Sequence, residues 1–189
     1  MILRLIDDQT VTPMQGVRRT PRNIQIREIR QQDSEQFSAL LAQLAEESDY
    51  TLLTASEYRA GAATQASRTA QIIQSPSQQI FVSCNLEQLV GFVAISQGIY
   101  QRNAHCGSLM IGVSASHQRR GIGRRLMQAA LEWASSRDIE RIELTVAEAN
   151  LAAIGLYQQF GFIREGVKLD AYRVDGRAVN EWMMARIVG

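Results

Sequence analysis

The stretch that decides the fold comprises residues 113–125 and reads VSASHQRRGIGRR. A hydrophobic run from Cys106 to Val113 precedes it and predicts a strand, and a helical pattern begins at Ile122. The apolar face of that helix is formed by Ile122, Leu126, Ala129, Ala130 and Trp133. A strand therefore passes directly into an amphipathic helix through a loop that contains two glycines.

The loop has the properties of an anion site. Main-chain N–H groups at the start of a helix have no partners inside the helix and lie at the positive end of its dipole. A side chain at Gly121 or Gly123 would keep an anion away from the main chain. The arginines that can add charge-assisted contacts to phosphate oxygens are Arg119, Arg120, Arg124 and Arg125. A plain β–α turn with solvated arginines would have the same sequence, so the loop alone leaves both interpretations open.

Two well-known phosphate loops do not fit. The dinucleotide-binding pattern GxGxxG lacks its last glycine, because Leu126 occupies that position. The nucleoside-triphosphate loop needs G-K-[ST], and no such triplet follows. The loop therefore follows a different pattern.

That pattern, Val113-x4-Gln118-x2-Gly121-x-Gly123, resembles the acyl-CoA-binding motif [QR]-x-x-G-x-[GA] of the GNAT superfamily. Residues 150–162 read NLAAIGLYQQFGF and are similar to the second signature of that family, N-x-x-A-x-x-[LF]-Y-x-x-x-G-F. Two motifs in this order, about 30 residues apart with a strand between them, are far more specific than either alone. The resemblance covers residues 24–189 as an N-acetyltransferase domain and leaves residues 1–23 as an N-terminal extension of unknown role.

The order of predicted elements agrees with this family. A strand begins at Ile24 and a helix follows it, then a second helical stretch over residues 56–73, a β-hairpin, the strand–loop–helix unit, and a strand, helix and final hairpin. The expected fold class is α+β (mixed α/β). The resemblance implies a GNAT-like central, mostly antiparallel twisted sheet of about seven strands, with about four helices packed on both faces.

The resemblance implies acetyl-CoA as donor substrate and no metal. In the family, the strand before the loop parts from its neighbour and admits the pantetheine arm, so backbone groups of Ile111 and Val113 are expected to pair with the pantetheine amides. The N–H of Val113 is expected to polarise the thioester carbonyl. The pyrophosphate is expected on the N–H groups of the loop, which consists of Gln118, Arg119, Arg120, Gly121, Ile122, Gly123 and Arg124.

Two residues of the second signature have both a functional and a structural interpretation. Asn150 corresponds to an asparagine that contacts the cofactor arm, and asparagine is also among the best helix N-caps. Tyr157 matches the tyrosine that protonates the leaving thiolate as general acid. As a purely structural residue, Tyr157 would be part of the core with its hydroxyl at the surface.

The implied reaction is direct attack of a neutral primary amine on the acetyl carbonyl. An ammonium has no lone pair, so a base must first remove its proton. The sequence does not single out that base, and water-mediated deprotonation needs no fixed side chain. The candidate side chains are Glu143, Glu148, Asp170, Glu181 and His105. One departure from the family is Ala115, because many members have proline two residues after the strand.

The expected function is acetyl transfer from acetyl-CoA to a small-molecule amine or amino acid. A protein or peptide N-acetyltransferase is the alternative within the same class, and a non-catalytic acyl-CoA-binding regulatory module is the alternative outside it. The retained Tyr157 disfavours the second alternative. Small amines favour a closed pocket with acidic residues, whereas peptides need an open groove.

Composition limits the remaining possibilities. The 20 basic and 19 acidic residues give a net charge of +1, which disfavours nucleic acid or a membrane surface as partner. Cys84 and Cys106 form no CxxC pair, so a reducing, cytoplasmic setting is expected. The chain fits one domain, and a homodimer is compatible with these features.

Overall fold

A sheet of seven strands forms the centre of the protein in the computed structural model, which describes residues 24–188. The strands are β1 (Ile24–Glu28), β2 (Gln78–Asn85), β3 (Gln88–Gln97), β4 (Cys106–Val113), β5 (Arg141–Ala147), β6 (Ile163–Val174) and β7 (Arg177–Ile187). Their order is β1-β2-β3-β4-β5-β7-β6, and among these strands only the β4–β5 pair is parallel. The mostly antiparallel sheet is confirmed, while the predicted extension of residues 1–23 lies outside the described residues.

The helices are α1 (Ser34–Glu46), α2 (Ala55–Ala60), α3 (Ala62–Gln74), α4 (Ile122–Ser135) and α5 (Leu151–Gln159). The single helix expected over residues 56–73 is wrong, because the chain turns at Gly61 and forms α2 and α3. Thr54 caps the start of α2 by accepting the N–H of Glu57, and Gly61 ends it with an N–H bond to the Glu57 carbonyl. Glycine is a poor helix former, so this is where an alanine-rich stretch bends at the lowest cost.

Helices cover both faces of the sheet, as expected. On one face, α4 buries Leu126 and Met127 completely against the core strands. On the other face, α1 packs Phe37 on β3, where its ring meets that of Phe92 edge-to-face at 5.2 Å between centroids. In both helices the apolar residues recur at helical spacing, which accounts for these two contacts.

The described part of the chain offers neither a membrane span nor a metal cluster. Within residues 24–188, no helix is both long enough and apolar enough to cross a bilayer. In the same range, no three His, Cys, Asp or Glu side chains are grouped so that they could hold a metal ion.

Replacing Leu126 tests the packing of α4, which carries the glycine loop at its start. Leu126→Ala leaves a cavity under the helix and should lower the free energy of unfolding by about 2–5 kcal/mol in urea titrations. Gln128→Ala, on the exposed side of the same helix, serves as control and should change stability by less than about 0.5 kcal/mol. Equal stabilities of the two variants would contradict this packing.

Candidate active site

The parallel strands β4 and β5 pair over a short length and then part. Residues 106–108 of β4 pair with residues 141–143 of β5. Beyond this point β4 continues to Val113 and β5 to Ala147 with no ladder between them. Each strand keeps its outer neighbour, β3 for β4 and β7 for β5. The sheet therefore opens into a V at the strand for which the resemblance implied it.

One wall of the V presents unpaired main-chain groups of β4. In an antiparallel ladder, successive residues direct their polar groups alternately toward the partner strand and away from it. The N–H of Ser114 donates to the carbonyl of Val90 on β3 at 2.9 Å. Because alternate residues of β4 bond to β3 and the ladder to β5 ends at Ser108, the N–H and C=O groups of Ile111 and Val113 face the V.

The opposite wall follows the same rule. The N–H of Glu148 donates to the carbonyl of Asn180 on β7 at 2.9 Å, so Thr145 and Ala147 turn their polar groups toward the V. The carbonyl of Ala147 accepts the N–H of Asn150 at 2.9 Å. Two facing rows of main-chain donors and acceptors thus remain open to a ligand that carries amides of its own.

Gln118 connects the V to the loop through its side chain. Its Nε2 donates to the Val113 carbonyl at 3.0 Å, which takes up that acceptor and leaves the Val113 N–H open. Its own N–H, which the sequence assigned to the pyrophosphate, donates to the Ala115 carbonyl at 3.3 Å. A short 3-10 turn over residues 115–117 ends here and uses this donor. The free donors of the loop therefore begin at Arg119.

The N–H groups of residues 119–124 find no acceptor within residues 24–188. Arg119 has a φ of 60° and Gly121 a φ of 79°, so two residues of the loop are left-handed. Alternation of left- and right-handed residues turns successive N–H groups toward one side and forms an anion-binding concavity. Since α4 begins at Ile122, the positive end of its dipole adds to this field.

The two glycines are required for different reasons. Gly121 is left-handed, and a Cβ built on it meets no atom within 4 Å, so glycine supplies conformation and open space here. A Cβ on Gly123 would lie 3.2 Å from Cδ2 of Leu156 on α5. Gly123 therefore allows α4 and α5 to approach each other, a packing role that the sequence did not indicate.

The four arginines of the loop divide into two groups. Arg125 Nη1 donates to the carbonyl of Ile24 at 2.9 Å and ties α4 to β1, so it is a structural residue. Arg119, Arg120 and Arg124 are exposed and have no side-chain partner within residues 24–188. These three are available to phosphate oxygens.

His117 fixes the turn before the loop. Its Nδ1 lies 3.1 Å from Ser114 Oγ and 2.9 Å from Ser116 Oγ, and its Nε2 lies 3.3 Å from Nδ2 of Asn85. The histidine thus joins the β2–β3 turn to the loop, and Asn85 is a partner that sequence spacing could not reveal.

Tyr157 is buried with an exposed fraction of 6% and packs against Phe162 at 5.9 Å between ring centroids. It belongs to the same apolar cluster as Ile111, Val113 and Ile122. Burial raises the pKa of Tyr157 to about 12. The phenol therefore keeps its proton at neutral pH, as a general acid must.

Asn150 is the N-cap of α5, because its Oδ1 accepts the N–H of Ala153 at 3.1 Å. The structural interpretation of this residue is confirmed. Its cap occupies the side-chain oxygen only, and the Nδ2 has no partner within residues 24–188. The amide nitrogen remains available to a ligand in the V.

Two of the five candidate bases lie at the closed end of the V. Glu143 pairs in register with Ser108, where the ladder between the strands still exists. His105 precedes β4 and is about 26 Å from Val113 at roughly 3.3 Å per residue. Neither side chain is placed to act on an amine beside Val113.

The remaining three candidates follow β5 or lie in the final hairpin. Asp170 is held by Arg173 in an exposed ion pair of 2.7 Å. Glu148 Oε2 lies 3.4 Å from Nδ2 of Asn180. Glu181 is the least exposed of the three, with 17% of its side chain accessible.

Replacing Gly121 with glutamate tests the loop. Gly121→Glu places a carboxylate and a side chain where an anion would bind, so it should abolish CoA binding in calorimetry while the protein stays folded, with only the destabilisation that a side chain at a left-handed residue brings. Gly161→Glu is the matched control, because Gly161 is also left-handed with no atom within 4 Å of a built Cβ. Equal CoA affinity in the two variants would exclude the loop as the pyrophosphate site.

Two N-acetyltransferases are similar to this chain over part of its length. The L-amino acid N-acetyltransferase AaaT of Escherichia coli K12 is 29% identical over 118 residues, which cover 62% of this chain and 73% of that protein. The N-alpha-acetyltransferase RimI of Mycobacterium tuberculosis is 37% identical over 92 residues, or 47% of this chain and 54% of that protein.

A solved structure agrees over nearly the whole described fold. The acetyltransferase of GNAT family from Streptococcus pneumoniae superposes with a TM-score of 0.81 at 26% identity, covering 88% of this chain and 99% of that one. Residues 37–162 match the family model described as Acetyltransferase (GNAT) family. That range contains the V, the loop and Tyr157, and the chain therefore belongs to the GNAT acetyltransferase family, whose members use acetyl-CoA as donor.

Proposed function

We propose that the protein transfers the acetyl group of acetyl-CoA to a primary amine of a small molecule or amino acid by direct attack. The observation that carries this proposal is the open N–H of Val113 in a cleft whose core includes the buried, protonated Tyr157. An amide donor and a phenol supply the two things that thioester aminolysis needs, which are stabilisation of an oxyanion and a proton for the leaving sulfur.

In this mechanism residues 119–124 hold the pyrophosphate, and the main chain of Ile111 and Val113 binds the pantetheine amides. The amine nitrogen attacks the acetyl carbon, and the Val113 N–H stabilises the oxygen of the tetrahedral intermediate. The intermediate collapses as the C–S bond breaks, and Tyr157 donates its proton to the sulfur. The proton lost by the amine goes to a carboxylate or to water, and solvent returns a proton to Tyr157 for the next turnover.

The acceptor side offers a carboxylate suited to an amine. Glu181 belongs to β7, where its neighbour in register on β5 is Ala147, at the open end of the V. Because Met184 faces the α4 side and residues alternate along a strand, Glu181 projects to the opposite face. Its nearest cation, Lys168 Nζ, is 3.7 Å away, beyond hydrogen-bond distance. A largely buried carboxylate with so weak a partner favours a cationic ligand.

Two tyrosines and a second acid lie beside this carboxylate. Tyr172 donates its hydroxyl to the carbonyl of Asp49 at 3.4 Å. Burial raises the pKa of Tyr172, and the nearby Glu181, Tyr50 and Asp49 raise it further. Acids and aromatic rings together suit an ammonium group, through charge and cation–π attraction. The printed name of AaaT, an L-amino acid N-acetyltransferase, agrees with such an acceptor.

Exposed apolar residues close in sequence to Tyr50 and Tyr172 favour a peptide acceptor as the second candidate. Leu52, in the segment between α1 and α2, has an exposed fraction of 75%, and Leu169 on β6 has 74%. Such side chains can contact the residues that follow an N-terminal amine. RimI is by name an N-alpha-acetyltransferase, which agrees with this alternative.

An acceptor panel separates the candidates. The purified protein is incubated with acetyl-CoA and with amines, amino acids or short peptides while free thiol is followed. Release accelerated by small amines or amino acids supports the proposal, and release accelerated only by peptides supports the second candidate. CoA binding without release for any acceptor would indicate a non-catalytic acyl-CoA-binding module.

Removing the hydroxyl of Tyr157 tests its role as general acid. Tyr157→Phe keeps the buried ring, so it should lower kcat about 100-fold while KM for acetyl-CoA changes little. Tyr58→Phe is the control, because Tyr58 is a partly buried tyrosine in the other core cluster. Unaltered turnover in Tyr157→Phe would make Tyr157 a core residue only.

Neutralising Glu181 tests the acceptor site. Glu181→Gln keeps the shape and removes the charge, so KM for the amine should rise about tenfold, the loss of one charge-assisted contact, with KM for acetyl-CoA unchanged. Glu165→Gln is the control, since Glu165 pairs with Arg141 at the closed end of the V. An unchanged acceptor KM would remove Glu181 from the site.

A further inference from the structure

Glu47 makes a contact that joins two distant parts of the chain. It follows α1 directly, and its Oε2 accepts the N–H of Ala115 at 2.7 Å, across 68 positions of sequence. Its other oxygen accepts Nε2 of Gln43 at 2.8 Å, which holds the carboxylate in place. No other main-chain N–H among residues 24–188 donates to a carboxylate so far away in sequence.

Ala115 occupies a sensitive position in the donor site. It begins the turn of residues 115–117, whose first N–H has no partner inside the turn. The carbonyl of Ala115 accepts the N–H of Gln118, and Gln118 in turn donates to Val113. The carboxylate of Glu47 thereby caps the turn that places both the oxyanion donor and the pyrophosphate loop.

Glu47 also begins the segment of residues 47–54, which spans the open end of the V. Two further contacts hold this segment on the opposite side. The hydroxyl of Tyr50 lies 3.5 Å from the carbonyl of Ala149, just after β5, and the carbonyl of Asp49 accepts the hydroxyl of Tyr172 at 3.4 Å. Residues 47–54 therefore contact the chain just after β4 and just after β5. They also contribute Asp49 and Tyr50 to the proposed acceptor site.

We propose that Glu47 is a positioning residue that couples the acceptor-side segment to the donor loop. Coupling of this kind is reciprocal, because whatever fixes the turn at Ala115 also fixes Glu47, and the reverse holds equally. Binding of CoA at the loop thus stabilises the observed position of residues 47–54, and that position in turn strengthens CoA binding. The acceptor part of this inference rests on the proposed function, whereas the link to CoA rests on the contacts alone.

The chain allows the bond to be removed from either side. Glu47→Ala removes the acceptor, and Ala115→Pro removes the donor with little other change. Proline suits the first position of a helical turn, and Ser114 before it has φ −55° and ψ 142°, the conformation favoured before proline. Glu47→Gln keeps an acceptor oxygen, and Glu46→Ala removes a neighbouring carboxylate that pairs with Arg59 instead.

The test measures CoA affinity by calorimetry in single and double variants. Glu47→Ala should weaken CoA binding about fivefold, the effect of losing one hydrogen bond at an exposed site, whereas Glu47→Gln, which keeps an acceptor oxygen, and Glu46→Ala should bind nearly as the parent does. In an Ala115→Pro background, Glu47→Ala should have no further effect, because the bond is already absent. With an active acceptor, Glu47→Ala should also raise the acceptor KM more than it lowers kcat.

Three results would overturn the inference: unchanged CoA affinity in Glu47→Ala, an equal loss in both backgrounds, or an unchanged acceptor KM. The calorimetric result stands whether or not any amine is acetylated. If no acceptor is turned over but the loss of affinity depends on Ala115, the link to the donor loop holds and the proposed reaction fails. If acetylation proceeds and the variants bind CoA alike, the reaction stands and the role of Glu47 is disproved.

Discussion

The rest of the structure depends on the point at which the main-chain hydrogen bonds between β4 and β5 end. After Ser108 the two strands keep their outer partners and leave the inner polar groups of Ile111, Val113 and Thr145 without a ladder. Main-chain N–H and C=O groups that have no partner in the sheet are open to a ligand that brings amides of its own. The pantetheine arm of acetyl-CoA is such a ligand, and the family assignment agrees with it.

The elements around the gap position the groups that line it. Gln118 takes up the Val113 carbonyl, so the strand end presents its N–H to the V. Gly123 lets α4 pack close to Leu156 of α5, and α5 in turn holds Tyr157 in the core. The same turn that starts the pyrophosphate loop is capped by Glu47 from the acceptor side. In the proposed mechanism, donor binding, proton donation and acceptor access are therefore arranged around one break in the sheet.

The sequence predicted the parts of this arrangement that depend on local pattern. The strand Cys106–Val113 was predicted with the bounds it has, because alternation, a glycine loop and an amphipathic helix follow one another without interruption. The break at Gly61 was missed, since the alanine-rich residues on both sides favour a helix equally well. The hydrogen bonds of Gln118 were not predicted, because the use of its own N–H depends on the turn at Ala115.

Contacts between residues that are far apart in the chain leave no pattern in the sequence. Glu47 and Asn85 act on the loop from positions far away in sequence, and exposed glutamate or asparagine is ordinary at either place. The proposed acceptor site also leaves no pattern in the sequence. Its residues Asp49, Tyr172 and Glu181 come together only when the final hairpin folds against β5. The loop and its strand could therefore be predicted from motifs, whereas the proposed acceptor site required the structure.

Amide hydrogen exchange followed by NMR, with and without CoA, tests the central claim most directly. If the parted strands and the loop bind CoA, the amides of Ile111, Val113 and residues 119–124 should exchange more slowly in the complex. The amide of Ser114, already bonded to Val90 on β3, should change little. CoA binding that leaves the amides of Ile111, Val113 and the loop unprotected, or that protects Ser114 equally, would contradict the account.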